Sequence, residues 1–246
     1  KKVYCYASIP PSLGSNAFSS NASGRRIYVY EECVELYKSA WSSYKDSIYT
    51  NGENCPETTT IQYTTNDGNT ITSSKLPIIS NIYENGVGTM VVAGEIIKIP
   101  NDVFRNCDSL TSVNIPDSVT TIGNYAFYEC TSLTSVNIPD SVTTIGNSAF
   151  NSCNSLTEFK GKFAEDNGRI LVVDGVLTAF APAGITEYNI PDSVTTIGES
   201  AFYGCDSLTS VNIPDSVTTI GEWAFGWCYS LTSVNIPDRV TTIGRH

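Results

Sequence analysis

The stretch SLTSVNIPDSVTTIGNYAFYECT, residues 109–131, is followed at once by SLTSVNIPDSVTTIGNSAFNSCN, residues 132–154. The same unit of 23 residues begins again at Ser207 and Ser230, and looser copies begin at Gly86 and Gly184. A copy that begins at Ser155 is stretched to 29 residues. One unit of this length cannot bury its own apolar face, whereas stacked units can, so the repetition predicts a solenoid.

The apolar positions within one unit predict how each coil folds. In SVNI the alternation predicts a short strand with Val113 and Ile115 facing inward, and Pro116 then breaks this strand. VTTIG predicts a second extended piece that ends at Gly123, and NYAFYEC predicts a single helical turn that buries Phe127. Stacking of the coils should align the equivalent rings in a single file formed by Phe127, Phe150, Phe202 and Phe225. The expected fold class is therefore α/β, a solenoid of about seven coils with parallel strands.

The stretched coil, residues 155–183, contains RILVVDGVLTAF, in which two apolar runs flank Asp174 and Gly175. An Asp-Gly pair between such runs is a strong signal of a β-hairpin, because a type I′ turn requires positive φ at both central residues. We therefore expect one β-hairpin insertion that projects from the array.

The sequence LTSVNIPDSVTTIGNYAFYEC resembles the BspA-like leucine-rich repeat family, whose unit has the form L-x-x-I-x-I-P-x-x-V-x-x-I-G-x-x-A-F-x-x-C. The resemblance is close over five coils and looser over the rest. It implies a secreted or surface-attached protein of the kind found in gut and oral bacteria and some parasitic protists. For that family, adhesion to host proteins or to other bacteria is the usual proposal.

Residues 1–85 predict a different organisation. LGSNAF at residues 13–18 echoes the repeat, RRIYVY predicts a strand, and an apolar stripe predicts a helix from Glu31 to Ile48. The predicted domains are residues 1–50, a degenerate repeat with a capping helix; 51–85, a linker with a hairpin at 60–71; and 86–246, the array. The resemblance implies that residues 1–50 cap an upstream array. The last coil, near Ile236 and Ile243, should expose a strand edge and apolar side chains, which predicts self-association.

Composition excludes several classes of partner. The formal net charge is −11, and only 14 residues are Lys or Arg, so clustered basic side chains of the kind that bind nucleic acid are not expected. An acidic surface also disfavours docking on an anionic membrane, and the chain has no apolar run long enough for a membrane span. Abundant Thr, Ser and Asn suit an extracellular protein. The expected partner is an extracellular protein or a glycan.

No set of residues predicts catalysis, so we expect neither an enzyme nor a bound cofactor. The only histidine is His246, the last residue, and a disordered tail residue is its plain interpretation. GNSAF and GESAF begin like a nucleophile elbow but lack its final glycine, and they recur as part of the repeat. Ser148 and Ser200 are therefore poor candidates for a nucleophile.

Two columns of repeated polar or sulfur-bearing residues have alternative interpretations. The first is formed by cysteines, which could form disulfides or a metal ladder but more simply fill small buried sites. It contains Cys107, Cys130, Cys153, Cys205 and Cys228. The second is formed by aspartates, which could hold calcium but more simply mark solvent-facing turns. It contains Asp117, Asp140, Asp192, Asp215 and Asp238. We predict no metal site.

Partner binding is best predicted where the repeats differ from one another. A polar ladder, Ser112/Asn114 and its equivalents in later coils, faces outward from the strands, but near-identical residues cannot encode a detailed binding surface. Clustered Trp and Tyr are typical interface anchors, although some could instead pack on neighbouring coils. The candidate binding residues are Tyr125, Tyr128, Tyr203, Trp223, Trp227 and Tyr229. The alternative function is a structural spacer without a ligand of its own.

Overall fold

The structure, a computed structural model, describes residues 2–4, 26–29, 34, 37–38, 48–50 and 58–245. The chain divides into two compact units. The first contains residues 1–60, 77–82 and 90–95, and the second contains residues 61–76, 83–89 and 96–246.

Nearly all regular structure in the described residues is β-strand. In chain order the strands are β1 (Lys2–Tyr4), β2 (Arg26–Val29), β3 (Ile48–Thr50), β4 (Thr58–Thr65), β5 (Ile78–Glu84), β6 (Val87–Ala93), β7 (Lys98–Ile99), β8 (Leu110–Asn114), β9 (Thr121–Ile122), β10 (Ser135–Ile138), β11 (Thr144–Ile145), β12 (Glu158–Gly161), β13 (Ala164–Glu165), β14 (Ile170–Val173), β15 (Val176–Phe180), β16 (Glu187–Asn189), β17 (Thr196–Ile197), β18 (Ser210–Asn212), β19 (Thr219–Ile220), β20 (Ser233–Asn235) and β21 (Thr242–Ile243).

The first unit contains a parallel sheet in the order β1-β2-β3. Ile27, Val29 and Ile48 are buried, and the helical residue Tyr37 is fully buried with them. The predicted strand RRIYVY is thus confirmed at β2. The predicted helix end is wrong, because Ile48 begins β3. The degenerate repeat expected from Lys1 to about Ser23 lies, apart from β1, outside the described residues, as do the aromatic residues Trp41 and Tyr44.

The second unit is a parallel β-solenoid with about 23 residues in each coil. Its first side is built from the strands at the Ser-Val-Asn position of the repeat. β8, β10 and β12 pair in parallel, as do β16, β18 and β20 after the stretched coil. The pairing is in register with the repeat, so that Val113 lies beside Val136 and Val211 beside Val234. A strict period therefore places equal side chains next to each other in the core.

The second side is built from the short Thr-Ile strands. β7, β9 and β11 pair in parallel, and β17, β19 and β21 continue the same arrangement after the stretched coil. Ile99, Ile122, Ile197 and Ile220 are buried along this side.

The prediction of a helical turn is wrong, because the third side of each coil is built from β-turns. In NYAFYEC the amides of Tyr128 and Cys130 donate to the carbonyls of Tyr125 and Phe127, three residues earlier. Tyr125 and Glu129 have φ of 55° and 57°, which no α-helix accommodates. The segment is a pair of β-turns, and among the described residues only Val34, Tyr37 and Lys38 are helical. The α part of the expected α/β class is therefore not confirmed.

These turns are hydrogen-bonded to the next coil rather than within a helix. The amides of Tyr125, Phe127 and Glu129 donate to the carbonyls of residues 147, 149 and 151 at 3.1, 2.8 and 2.9 Å. The third side is consequently a wall of backbone hydrogen bonds, comparable with the two strand sides.

Phenylalanine rings form the core behind this wall, and the expected single file is present on each side of the stretched coil. Phe104, Phe127 and Phe150 stack with ring centroids 5.3 and 5.2 Å apart. Beyond the stretched coil, Phe202 lies 4.8 Å from Phe180 and 5.1 Å from Phe225. Each buried Phe contributes about 1.5–3 kcal/mol, and a ring pair adds about 0.5–1.5 kcal/mol.

Repeated hydroxyl groups satisfy backbone carbonyls near the corners, where the strands end. Thr134 Oγ1 donates to the Thr111 carbonyl at 3.1 Å, and Ser141 Oγ donates to the Val119 carbonyl at 2.7 Å. Equivalent bonds recur in later coils, for example from Thr209 and Ser216. The invariance of Thr and Ser in the repeat thus has a local structural cause.

The stretched coil forms the predicted hairpin, but the prediction that it projects from the array is wrong. β14 and β15 are antiparallel, with φ of 51° and 78° at Asp174 and Gly175 in the turn. β15 then pairs in parallel with β17, so it takes the place of a Thr-Ile strand. Leu171 and Leu177 are fully buried. A projecting hairpin would leave these apolar side chains in water.

The predicted hairpin at residues 60–71 is also wrong. β4 pairs antiparallel with β8, with Tyr63 opposite Val113, while residues 69–71 form no strand. β4 therefore lies on β8 where a preceding coil would place its SVN strand. In the looser copy at Gly86, β7 is the strand that pairs directly with a strand of the next coil, β9. Tyr63 is buried and its hydroxyl accepts from the Ile71 amide at 3.2 Å.

We predict that Gly123→Ala destabilises the array. A Cβ atom at Gly123 would lie 2.7 Å from the Asn101 backbone nitrogen in the preceding coil, so the two coils would have to separate locally. Overpacking of this kind lowers the free energy of unfolding by about 1–3 kcal/mol. Urea denaturation measures it. The matched control, Asn137→Ala on an exposed strand position, should change stability by less than about 0.5 kcal/mol, and equal effects would contradict the account.

Candidate functional site

The outward positions of the turn segment are where the coils differ most. Two positions in each segment have positive φ: the second residue after the Gly of the repeat and the second residue after Phe. The first is occupied by Asp102, Tyr125, Ser148, Ser200 and Trp223, with φ of 54° to 58°. The second is occupied by Asn106, Glu129, Ser152, Gly204 and Trp227, with φ of 57° to 73°. These side chains form adjacent columns on the third side.

The first ring pair of the site is Tyr125 and Tyr128. Their centroids are 5.7 Å apart with the rings at 74°, an edge-to-face arrangement. The guanidinium of Arg105 lies over both rings, 5.6 Å from the Tyr125 centroid and 4.8 Å from the Tyr128 centroid. Arg105 Nη1 is also 3.2 Å from Asp102 Oδ1. Partial burial raises the pKa of Tyr128, so its hydroxyl stays protonated.

The second group of rings surrounds Tyr203. Trp227 stacks on Tyr203 at 5.9 Å with an interplanar angle of 25°, and Trp223 meets it edge-on at 6.3 Å. Gly226 makes this packing possible, because a Cβ there would lie 2.9 Å from Trp223 Cε3 and 3.0 Å from Tyr203 Cδ2. Tyr229 extends the row, 6.1 Å from Trp227.

The stretched coil brings the two ring groups together. This coil contributes no turn segment to the third side, so the turn segment at residues 147–153 directly contacts the one at residues 199–205. Asn147 Nδ2 donates to Glu199 Oε2 at 2.7 Å, and the rings of Tyr128 and Tyr203 are 6.5 Å apart. The resulting row of rings crosses the junction between the two parts of the array.

A groove of about 510 Å³ runs along this row, and we call it the aromatic groove. Its lining combines rings with polar and acidic groups: Arg105, Tyr125, Tyr128, Ser148, Asn151, Glu199, Ser200, Tyr203, Glu222, Trp223 and Trp227. Trp223 and Trp227 are 37% and 57% exposed, whereas Tyr125, Tyr128 and Tyr203 are half-buried. A flat, partly apolar surface bordered by Glu199 and Glu222 is thus open to solvent.

The structure places five of the six sequence-predicted residues in this groove and Tyr229, 77% exposed, at its end. Sequence reasoning missed Arg105, Glu199, Glu222 and Gly226. Aligning the coils would have shown that Arg105 and Gly226 share a column with Tyr128 and Tyr203, and that Glu199 and Glu222 replace the Asn of other coils directly beside the aromatic columns. It would not have shown that the stretched coil is skipped on this side, which is what joins the two groups.

The outward strand face offers a different surface. Glu187, Asn189, Ser210, Asn212, Ser233 and Asn235 line a shallow groove of about 420 Å³ on β16, β18 and β20. The asparagines there are exposed and repeat from coil to coil. This face serves below as the control surface.

The repeated cysteines have a structural role. Cys130, Cys153 and Cys205 are buried free thiols, while Cys107 and Cys228 are partly buried. Cys130 Sγ donates to the Phe104 carbonyl at 3.1 Å, and Cys153 Sγ donates to the Phe127 carbonyl at 3.2 Å. The prediction of small buried groups is confirmed for the three buried thiols. Burial raises the pKa of Cys107 to about 11 and that of Cys153 to about 12.

Other chemical candidates are not assembled into sites. In the described part of the chain, no group of three or more His, Cys, Asp and Glu side chains is arranged to hold a metal ion. Every member of the aspartate column is exposed at a turn. Ser148 and Ser200 are buried at the floor of the aromatic groove. Among the described helical residues, none belongs to a helix long and apolar enough to span a membrane.

Comparison with known proteins identifies the repeat. The model of the BspA type leucine-rich repeat region matches residues 82–164 and 177–246 in six copies. A leucine-rich cell surface protein from Faecalibacterium prausnitzii A2-165 is 33% identical, with a TM-score of 0.55. That match covers 61% of this chain but only 41% of the other, so the chain spans about two fifths of its length.

A leucine-rich repeat protein of T. pallidum is 28% identical, with a TM-score of 0.42 over 61% of this chain and 68% of that one. No curated protein matches the chain.

We predict that the thiols of Cys107 and Cys153 react with iodoacetamide at pH 8 about a hundredfold or more slowly in the folded chain than in urea. The thiolate is the reactive form, and the pKa of each lies two or more units above the ordinary 9.0. Because the folded pKa is raised, these thiols stabilise the fold fully below pH 9, and this stabilisation is lost as the pH rises toward 11 and 12. Peptide mass spectrometry measures alkylation at each cysteine. Similar rates for Cys153 in both states would show that its site is open.

Proposed function

Because the chain belongs to the family described as BspA type leucine-rich repeat region, we propose that it is a non-enzymatic binding protein of the cell exterior. In this proposal the aromatic groove holds the partner, which is an extracellular protein. Leucine-rich repeat solenoids are generally protein-binding scaffolds, and the F. prausnitzii relative is described as a cell surface protein. The cell exterior, the adhesive role and the partner are proposals for this chain.

The observation that carries the proposal is the backbone conformation of the aromatic residues. Tyr125, Trp223 and Trp227 have φ of 54° to 58°, a region in which a bulky side chain costs about 1–2 kcal/mol. Equivalent positions in other coils hold Asp102, Asn106 and Gly204, which accept such φ more easily, and otherwise the smaller side chains of Ser or Glu. Strained residues are concentrated at functional sites, because there the side chain has a use that offsets the strain.

Exposure supports the same conclusion. The fold gains little stability from the exposed faces of Trp227 and Tyr229, which are 57% and 77% exposed, since that apolar area stays in water. Trp and Tyr are also the residues that most often dominate the energy of protein interfaces. A protein partner would cover these rings and recover that energy.

The alternative function is a structural spacer, which would use the coils only for length. It accounts for the repeated core and strand faces, but it gives no reason for exposed rings at strained positions. The domain division at residues 50 and 85 stays a prediction. So does self-association at the last described coil, where Ile236 and Ile243 are 47% and 60% exposed.

We predict that replacing Trp223, Trp227 and Tyr229 together with Ser removes partner binding and leaves the fold intact. Photo-crosslinking to solubilised extracellular matrix and mucus proteins, followed by mass spectrometry, measures binding. Truncating interface anchors of this type costs about 2 kcal/mol or more each, so the loss should exceed a hundredfold.

The matched control is Asn189→Ala, Asn212→Ala and Asn235→Ala on the strand face, which should retain every partner. Circular dichroism and urea denaturation test the folding of both variants. If the strand-face variant alone loses partners, the wrong surface has been assigned. If crosslinking is saturable but neither variant changes the set of partners that is captured, the spacer function is favoured.

A further inference from the structure

We propose that the aromatic groove recognises the guanidinium group of an arginine side chain on the partner protein. This inference rests on the proposed function, since it names the chemistry of the partner bound at the same site. It comes from a comparison of the two ends of the groove, in which Tyr203 takes the repeat position of Arg105 and Trp223 that of Tyr125.

One end of the groove already holds a guanidinium. Arg105 lies over Tyr125 and Tyr128 at 5.6 and 4.8 Å, within the distance at which a cation is attracted to the face of an aromatic ring. Asp102 completes the arrangement with a carboxylate oxygen 3.2 Å from Arg105 Nη1. Two rings and one carboxylate therefore bind one guanidinium within the protein.

The other end offers the same kinds of group without an arginine among its lining residues. Tyr203 occupies the column of Arg105, and Trp223 and Trp227 occupy the two positive-φ columns beside it. The exposed side of Trp227 provides a ring face, and indole is the aromatic group that attracts cations most strongly. Gly226 has no side chain, so the rings of Tyr203, Trp223 and Trp227 stay in contact with one another.

Carboxylates at this end lack a cationic partner within the described chain. Glu199 and Glu222 line the groove and are exposed, and no ion pair between described residues includes either of them. Glu199 Oε2 accepts a hydrogen bond from Asn147 Nδ2 at 2.7 Å, which fixes the carboxylate beside the rings. The net charge of −11 adds a long-range attraction for a basic segment.

Arginine suits this end better than lysine or a neutral sugar. A guanidinium is planar, so it can stack on an indole while donating two hydrogen bonds to one carboxylate, whereas an ammonium cannot do both in the same way. A neutral sugar could cover the rings, but it would gain little from two ionised carboxylates. The combination of rings and acids therefore favours a guanidinium.

The experiment uses three immobilised peptides that differ only in the side chain at two equivalent positions. They are acetyl-Gly-Arg-Gly-Arg-Gly and the same peptide with lysine or with citrulline, the uncharged isostere of arginine. Surface plasmon resonance measures binding of the whole chain. We expect the arginine peptide to bind at least tenfold more tightly than the citrulline peptide and several-fold more tightly than the lysine peptide, with affinity falling as salt rises.

Variants locate the interaction. Glu199→Gln with Glu222→Gln should weaken arginine-peptide binding about tenfold or more, and Trp227→Ser should weaken it at least as much. The control, Glu187→Gln with Asp215→Asn, removes the same charge from exposed positions elsewhere and should leave binding within about twofold. Thermal unfolding of each variant shows that the fold is retained.

Two outcomes would overturn the inference. The first is equal binding of the arginine and citrulline peptides, or unchanged binding after the double Glu→Gln substitution. The second is partner crosslinking that depends on Trp223, Trp227 and Tyr229 although the arginine peptide does not bind. Binding of a neutral oligosaccharide that is unaffected by the substitutions at Glu199 and Glu222 would have the same meaning. In that case the proposed function stands and the guanidinium specificity fails.

Discussion

Every other feature of the array depends on the short distance between successive coils. A parallel ladder holds neighbouring backbones about 4.8 Å apart, and on each side of the stretched coil the described coils keep backbone contact on all three sides, including the turn side. Gly123 and Gly221 show how strict the limit is, since a single added carbon would lie within 2.8 Å of the backbone of the preceding coil. At this spacing the Phe rings stack at 5.1 to 5.3 Å, and each coil completes the apolar interior of the next.

The same constraint explains residues whose repetition looks functional in the sequence. Threonine hydroxyls and cysteine thiols donate to carbonyls of the preceding coil, as Thr134 and Cys130 do at 3.1 Å each. Their positions are fixed because the acceptor always lies one coil away. Repetition therefore marks the scaffold, and the departures from repetition mark the surface that can discriminate between partners. The aromatic groove consists largely of such departures.

The period and the apolar pattern were enough to predict the coils, the parallel strands, the inward Val and Ile residues and the aligned Phe rings, because all of these follow from local spacing. The turn segment was not predictable in the same way. NYAFYEC contains two good helix formers, Ala126 and Glu129. The bonds from Phe127 and Glu129 to the next coil, which the sequence does not show, make the non-helical form favourable. The six candidate binding residues were found because they vary from coil to coil, whereas Glu199 contacts Asn147 only because the stretched coil is skipped on this side.

Amide hydrogen exchange tests most directly whether the coils are hydrogen-bonded to one another along the turn side. The account predicts that the amides of Tyr125, Phe127 and Glu129 exchange as slowly as the strand-side amide of Thr134, which bonds to the preceding coil at 3.0 Å. All four should then open only with the array as a whole. Exchange of the turn amides at the rate of exposed loops, while Thr134 stays protected, would contradict the account.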